Sequence, residues 1–344
     1  MLRHIGYNSG LSHDPLSRRK WMQLGGVGIA GLSWPKLVSA SPTVRDAVPA
    51  DAASSFGKAK SAIVIFLGGG PPQHETWDPK PEAPAEIRGG FGAIETQTPG
   101  LIVGELMPLT ARLTDKIAVL RAMVTNDNAH SSSGYQMMTG IPHVPLGVEN
   151  AVSKAPNLAP HWGALMRYIK QQGSSSFPPA VTLPNRIANT GEIVWPGQTG
   201  GFLGPKYDPW LLTCDPSQPN FTVPDLAFPA ELPANRFEKR VALLEHIDRQ
   251  REQLSTTSAV MSFNRQKKQA LDLLGGVAAR RAFDLSQESE ATRNRYGRTR
   301  WAQSVLLSRR LVEAGASLVQ VNWCKVMVNP TEEVGTLTTS TTTC

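Results

Sequence analysis

The chain has 344 residues, 40% of them hydrophobic and 18% charged, which is globular composition and enough length for one large domain or two ordinary ones. The net charge is +7, but residues 1–40 hold five basic residues against Asp14 alone, so the remainder lacks the concentrated basic face of a nucleic-acid binder. The three cysteines, Cys214, Cys324 and Cys344, are odd in number and show no C-x-x-C spacing, so neither a disulfide framework nor a cysteine zinc site is expected.

Residues 1–40 read as a twin-arginine signal peptide. Ser17-Arg18-Arg19-Lys20 is followed by Trp21 and Met22, then by a mildly apolar Gly- and Ala-rich stretch from Leu24 to Leu37. Val38-Ser39-Ala40 is a small-residue cleavage site. The apolar stretch is too short and too weak for a stable membrane span. An amphipathic helix of the fold is the rival reading, and Gly25, Gly26, Gly28 and Gly31 weigh against it. An uncleaved membrane anchor is the other. The expected destination is the periplasm or the exterior, and the expected partner is the twin-arginine export machinery. Because that route carries folded cargo, it hints at a group such as a metal loaded before export.

Residues 41–58, rich in Ser, Ala, Pro and Asp, read as a linker. Ser61–Leu67 is a continuous apolar run with β-branched residues and predicts a buried strand ending at Gly68-Gly69-Gly70-Pro71-Pro72. A short helix is expected over Leu106–Leu113, a second strand over Ile117–Met123 and a third over Pro179–Leu183. Residues 184–235, rich in Pro and Gly, predict a long excursion over the surface. From Arg236 the pattern turns helical, with further helices through Lys268–Leu274 and Trp301–Ala314. Gly315 is placed to end the last of these, and Ser317–Trp323 reads as a strand. The fold class expected is α/β around a parallel sheet.

Two loops carry the residues that could do chemistry. In parallel α/β folds ligands bind at the carboxyl ends of strands, and the loop after the first strand supplies His74, Glu75 and Asp78 as potential metal ligands. The bland alternative is a solvated loop in which Asp78 opens a turn at Pro79. The second loop reads Asn126-Asp127-Asn128-Ala129-His130-Ser131-Ser132-Ser133-Gly134, running on to Thr139-Gly140. Its serines could cap a helix whose free amides face an anion, with His130 or a serine as nucleophile or metal ligand. Plain capping by Ser131 or Asn128 is the bland alternative. His143 and His161, and tryptophans such as Trp195 and Trp210, read as structural.

These blocks, from Ser17-Arg18-Arg19 through residues 63–91, 106–123, 126–140, 196–210, 270–276, 280–297 and 304–323, resemble the domain-of-unknown-function 1501 proteins, a family abundant in planctomycete-type bacteria. The resemblance covers roughly residues 17–323. That family is placed beside the alkaline phosphatases and sulfatases, so it implies an alkaline phosphatase-like parallel-sheet sandwich over residues 59–323 and hydrolysis of a sulfate or phosphate ester. In those enzymes a nucleophile opens a helix and a Thr-Gly pair follows nine residues on. Here that position, counted back from Thr139, holds His130, with Ser131 beside it. The resemblance therefore implies His130 and Ser131 as catalytic residues. It also implies one or two divalent ions of unknown identity, held by His74, Asp78 and His130, that would polarise the ester.

Family members continue past the Val-Asn-Trp strand with Gly-Gly-Trp-Asp-Thr-His, Glu-Phe-Gly-Arg and Gly-Arg-Asp-His-Trp segments that would complete the metal site. Residues 324–344 show none of these in the frame given and read as an aberrant tail. Taken from the third base of the Pro330 codon, codons compatible with Pro330–Thr339 spell Asn-Gly-Gly-Gly-Trp-Asp-Thr-His-Asn, which predicts a frame slip near Cys324 or Lys325. On that expectation the chain is truncated and inactive, metal is incompletely bound, and Leu318–Trp323 lies at an open sheet position, an aggregation hazard. The rival reading is a non-catalytic exported binding or surface protein on the same scaffold.

Overall fold

The computed structural model describes residues 57–171, 177–189, 193–223, 234–252 and 258–323. The export signal, most of the 41–58 linker and the 324–344 tail lie outside the described residues. The chain divides after residue 59 into two units, and the second is described here.

In chain order the strands are β1 (Ala62–Leu67), β2 (Ala93–Glu95), β3 (Ile102–Gly104), β4 (Ala180–Leu183), β5 (Ala188–Asn189), β6 (Ile193–Val194), β7 (Trp210–Leu211) and β8 (Leu318–Trp323). The helices are α1 (Ala85–Arg88), α2 (Pro108–Ala111), α3 (His130–Thr139), α4 (Trp162–Ile169), α5 (Ala234–Glu252), α6 (Ser258–Gly275), α7 (Val277–Phe283), α8 (Glu290–Tyr296) and α9 (Arg300–Glu313). Strands β1, β8, β4 and β7 form one parallel sheet in that order, with Gln320 of β8 in register between Val64 of β1 and Thr182 of β4. The expected α/β class with a parallel sheet is what the chain forms.

The helix α9 explains why β8 sits at the centre. Thr299 caps its start by accepting from the Ala302 N–H, and Gly315, at φ 112°, reverses the chain directly into β8. Leu306, Leu307 and Leu311 then lie on one side of α9 against Val181, Leu183, Val319 and Val321, with Ala282 and Phe283 of α7 closing the cluster. Each of these fully buried leucines contributes roughly 2 kcal/mol of transfer free energy.

The alternate residues of β8 are polar and fully buried. Trp162 Nε1 donates to Gln320 Oε1 at 2.6 Å, Gln320 Nε2 donates to Asn322 Oδ1 at 2.6 Å, and Asn322 Nδ2 donates to the Asn185 carbonyl at 2.8 Å. His161 caps α4 by accepting the Gly163 N–H at Nδ1, 2.9 Å away. Burial pushes its pKa down to about 4, against a smaller upward pull from Gln320.

A second cluster marks the carboxyl end of the sheet. Met138 of α3, Ile187 and Trp195 pack with Phe66, near the end of β1, and with Trp301 at the start of α9. Trp301 stacks on Trp323, the last residue of β8, with ring centroids 6.2 Å apart. Helix α3 is thereby seated where the parallel strands end.

Four expectations need correction. Strand β1 is not buried: it is an edge strand, and Ile63, Ile65 and Leu67 are 39%, 46% and 41% exposed. Strand β8 is not at an open position, because β1 and β4 pair with it on both sides, and among the described residues the edges of the sheet are β1 and β7. Ile117–Met123 is not a strand. No neighbouring strand takes up its backbone groups among the described residues, and Leu120 and Met123 are largely exposed. Finally, the described part of 184–235 is no surface excursion. Ile187, Trp195, Tyr207 and Leu212 are buried, and β7 joins the sheet. Side chains make this burial tolerable: the Gln198 amide accepts from the Ile187 N–H and donates to the Ile187 carbonyl, both at 2.8 Å.

Candidate functional site

Helix α3 opens at His130, with Ala129 as its N-cap and no capping side chain of its own. The cap comes from a distant residue. Glu149 Oε1 accepts the His130 backbone N–H at 2.7 Å and is 2.8 Å from His130 Nδ1. A carboxylate can only accept, so Nδ1 carries a proton, and in the neutral ring Nε2 is then the nitrogen with the lone pair. The imidazole is 65% exposed and the Glu149 side chain 48%. Partial burial would raise the Glu149 pKa, but the His130 N–H and ring hydrogen bonds outweigh it and hold the carboxyl below its usual range.

The three serines do not cap α3. Ser131, fully buried, donates to the Val148 carbonyl at 2.9 Å and accepts from the Ala151 N–H at 2.8 Å. Ser132 accepts from the Val148 N–H, and Ser133 pairs with Thr125. Asp127 Oδ1 accepts from the Ala129 N–H at 3.0 Å and from the Gly147 N–H at 3.1 Å. Burial would raise the Asp127 pKa, but the Ser132 hydroxyl and these two amides win and lower it. Segments 125–133 and 147–151 are thus laced together, which fixes Glu149 against His130. Gly134 completes the seat. A Cβ there would collide with the Trp195 ring, whose Nε1 donates to Asn189 at 2.6 Å.

The first loop is simpler. His74 lies in a single helical turn, Gln73–Glu75, and accepts from the Gln73 amide at 3.3 Å. Lys80 Nζ is 2.6 Å from Asp78 Oδ2 and Arg121 Nη1 is 3.5 Å from Asp78 Oδ1. The Lys80 hydrogen bond leads in holding the Asp78 carboxyl below its usual range, and the nearby His74 adds to it.

His74 and Asp78 are therefore neighbours in the segment that follows the carboxyl end of β1, and His130 is the first residue of α3. No hydrogen bond or ion pair joins either to His130 among the described residues. For a divalent ion the fit is partial. His130 has the pattern of a metal ligand, one ring nitrogen on a carboxylate and the other free. Among the described residues, however, no three His, Cys, Asp or Glu side chains converge on one point. Glu149, the residue that completes the site, was missed by sequence reading. It is 19 positions from His130, and no local motif links them. Asp127 was readable as an Asx turn. His143 and His161 are buried, 4% and 1% exposed, as the structural reading expects.

No helix among the described residues is long and apolar enough to cross a membrane. Neither the curated proteins nor the solved structures hold a match to the chain. The family profile described as "Protein of unknown function (DUF1501)" matches residues 59–325, and the chain belongs to that family.

Proposed function

We propose that this chain is an exported relative of the metal-dependent sulfatases and phosphatases, on an alkaline phosphatase-like scaffold, with His130 as the group that meets a sulfate or phosphate ester. The observation that carries the reading is the His130–Glu149 pair at the start of α3. It directs the Nε2 side of an exposed imidazole outward, with a lone pair in the neutral ring, where the resemblance expects the reacting group. Such a nitrogen can act as a base, a nucleophile or a metal ligand. Glu149 fixes the tautomer and stabilises positive charge on the ring. Ser131 enters as a positioning residue, because its hydroxyl holds segment 148–151 and with it Glu149. A divalent ion, when bound, would polarise the ester. His130 would be one ligand, with His74 and Asp78 as the others.

The test is turnover of 4-nitrophenyl sulfate and 4-nitrophenyl phosphate by a purified full-length family member, with the His130 position substituted in parallel, supplied in turn with zinc, manganese, magnesium and calcium. Turnover that falls at least a hundredfold in His130→Ala, with unchanged melting, supports the reading. Turnover that survives that substitution, or that is absent with every metal, refutes it. The alternative is a non-catalytic exported binding or surface protein on the same scaffold. Export itself is tested separately: Arg18→Lys with Arg19→Lys should abolish it, and the exported protein should begin at Ser41.

A further inference from the structure

A cleft of about 250 Å³ lies between Pro79–Pro81, on the loop that carries His74 and Asp78, and the segment Arg88–Ala93. The functional reading above does not use it. Lys80 and Arg88 are its only charged lining residues, and Phe91, 44% exposed, and the two prolines give it apolar walls. The two cations differ. Lys80 already shares its charge with Asp78 at 2.6 Å, whereas the Arg88 guanidinium has no ion pair or hydrogen bond among the described residues. The floor is backbone, Gly89, Gly90 and Gly92, and at Gly90, where a Cβ would meet no atom within 4 Å, a ligand can approach the chain closely. Besides Asp78, two acids stand nearby: Glu75 Oε1 accepts the Gly90 N–H at 3.3 Å, and Glu105 Oε2 lies 2.9 Å from where a Cβ on Gly92 would sit. Neither lines the cleft, and Glu75 takes up that amide, so the anion donors left are side chains.

We infer that this cleft binds the oxyanion of a small sulfate or phosphate monoester, Arg88 holding the anion and Phe91 supporting the organic body. A guanidinium with its five donors unengaged matches two oxygens of a tetrahedral anion at once, which an ammonium cannot do. The volume suits one ester group and a ring, and falls short of a larger ligand. The inference rests on the proposed function only for the choice of anion.

The experiment is calorimetric titration of the full chain with sodium sulfate, sodium phosphate and 4-nitrophenyl sulfate, with sodium chloride at matched ionic strength as control. Wild type should bind the oxyanions and not chloride, and 4-nitrophenyl sulfate more tightly than sulfate. Arg88→Gln should weaken all of them about tenfold, the scale of a lost charge-assisted pair. Phe91→Ala should weaken only 4-nitrophenyl sulfate, about threefold. A second variant guards against misfolding. A Cβ at Gly90 meets no atom within 4 Å, so Gly90→Asp places a carboxylate beside the cleft without a clash and should abolish binding. Wild type that binds no oxyanion, or Arg88→Gln and Gly90→Asp within twofold of wild type, overturns the inference. Oxyanion binding without turnover would refute hydrolysis and leave the cleft standing. Turnover whose KM is unmoved in Arg88→Gln would do the reverse.

Discussion

The two loops at the carboxyl end of the sheet are built in opposite ways. In segment 125–151 the hydroxyls and carboxylates point inward. Asp127, Ser131 and Ser132 are all under 9% exposed, and each bonds backbone across the loop. In segment 68–92 the polar side chains are half-buried or exposed, and the chief side-chain pair, Lys80–Asp78, is between near neighbours in sequence. The first arrangement fixes a geometry before any ligand arrives. The second leaves its cations and glycines for a ligand to organise. A site that draws on both has one rigid wall and one adaptable wall, because buried hydrogen bonds are expensive to break and exposed ones exchange readily with water.

Substitution can break this contrast. The largest effect should come from Gly134→Ala, where the new methyl meets the Trp195 ring. About 3 kcal/mol of stability should be lost, seen as a lower denaturant midpoint at unchanged slope. Acid should act nearly as strongly on the buried polar layer. The pKa of His161 is depressed to about 4 in the fold against about 6.5 in the unfolded chain, so the unfolded state binds the extra proton between those values. Stability contributed by neutral His161 is therefore whole above about pH 6.5, falls as pH drops and is lost by about pH 4, on the order of 3 kcal/mol. Urea midpoints between pH 7 and 4 should show this slope, and His161→Asn should flatten it. Glu149 and Asp127, both depressed, lose their contributions only at lower pH still, below the ordinary carboxylate values.

Ser131→Ala should follow at about 2 kcal/mol, since it strands the Ala151 N–H and the Val148 carbonyl. It should also raise hydrogen exchange at Ala151. The matching change in the other loop, Lys80→Ala, should shift stability by no more than about 0.5 kcal/mol, as expected for an exposed ion pair. Equal effects from the two substitutions would erase the contrast.

Much of the scaffold was legible along the chain. Apolar runs at 61–67, 180–183 and 317–323, helical spacing at 301–314 and a glycine at 315 are local signals, each set by side chains within a few residues. Their counterparts β1, β4, α9, Gly315 and β8 formed as read. The place of His74 and Asp78 after the carboxyl end of β1 was equally readable, whereas the sequence sets His130 after a strand over Ile117–Met123 that does not form, and it opens α3 instead.

What the chain alone could not give was order and partnership. That β8 lies between β1 and β4, leaving β1 at an edge, depends on pairings between residues more than a hundred positions apart. The same is true of Ile117–Met123, whose apolar run fits a strand but which has no strand beside it. It is true of His130 as well. Its residue type was visible, but its tautomer and its free Nε2 follow from Glu149, brought across by buried serines whose sequence suggested capping. Local propensity determines what a segment can become. Only the tertiary fold decides which backbone groups and charges meet, because those bonds are made between segments that share no local code.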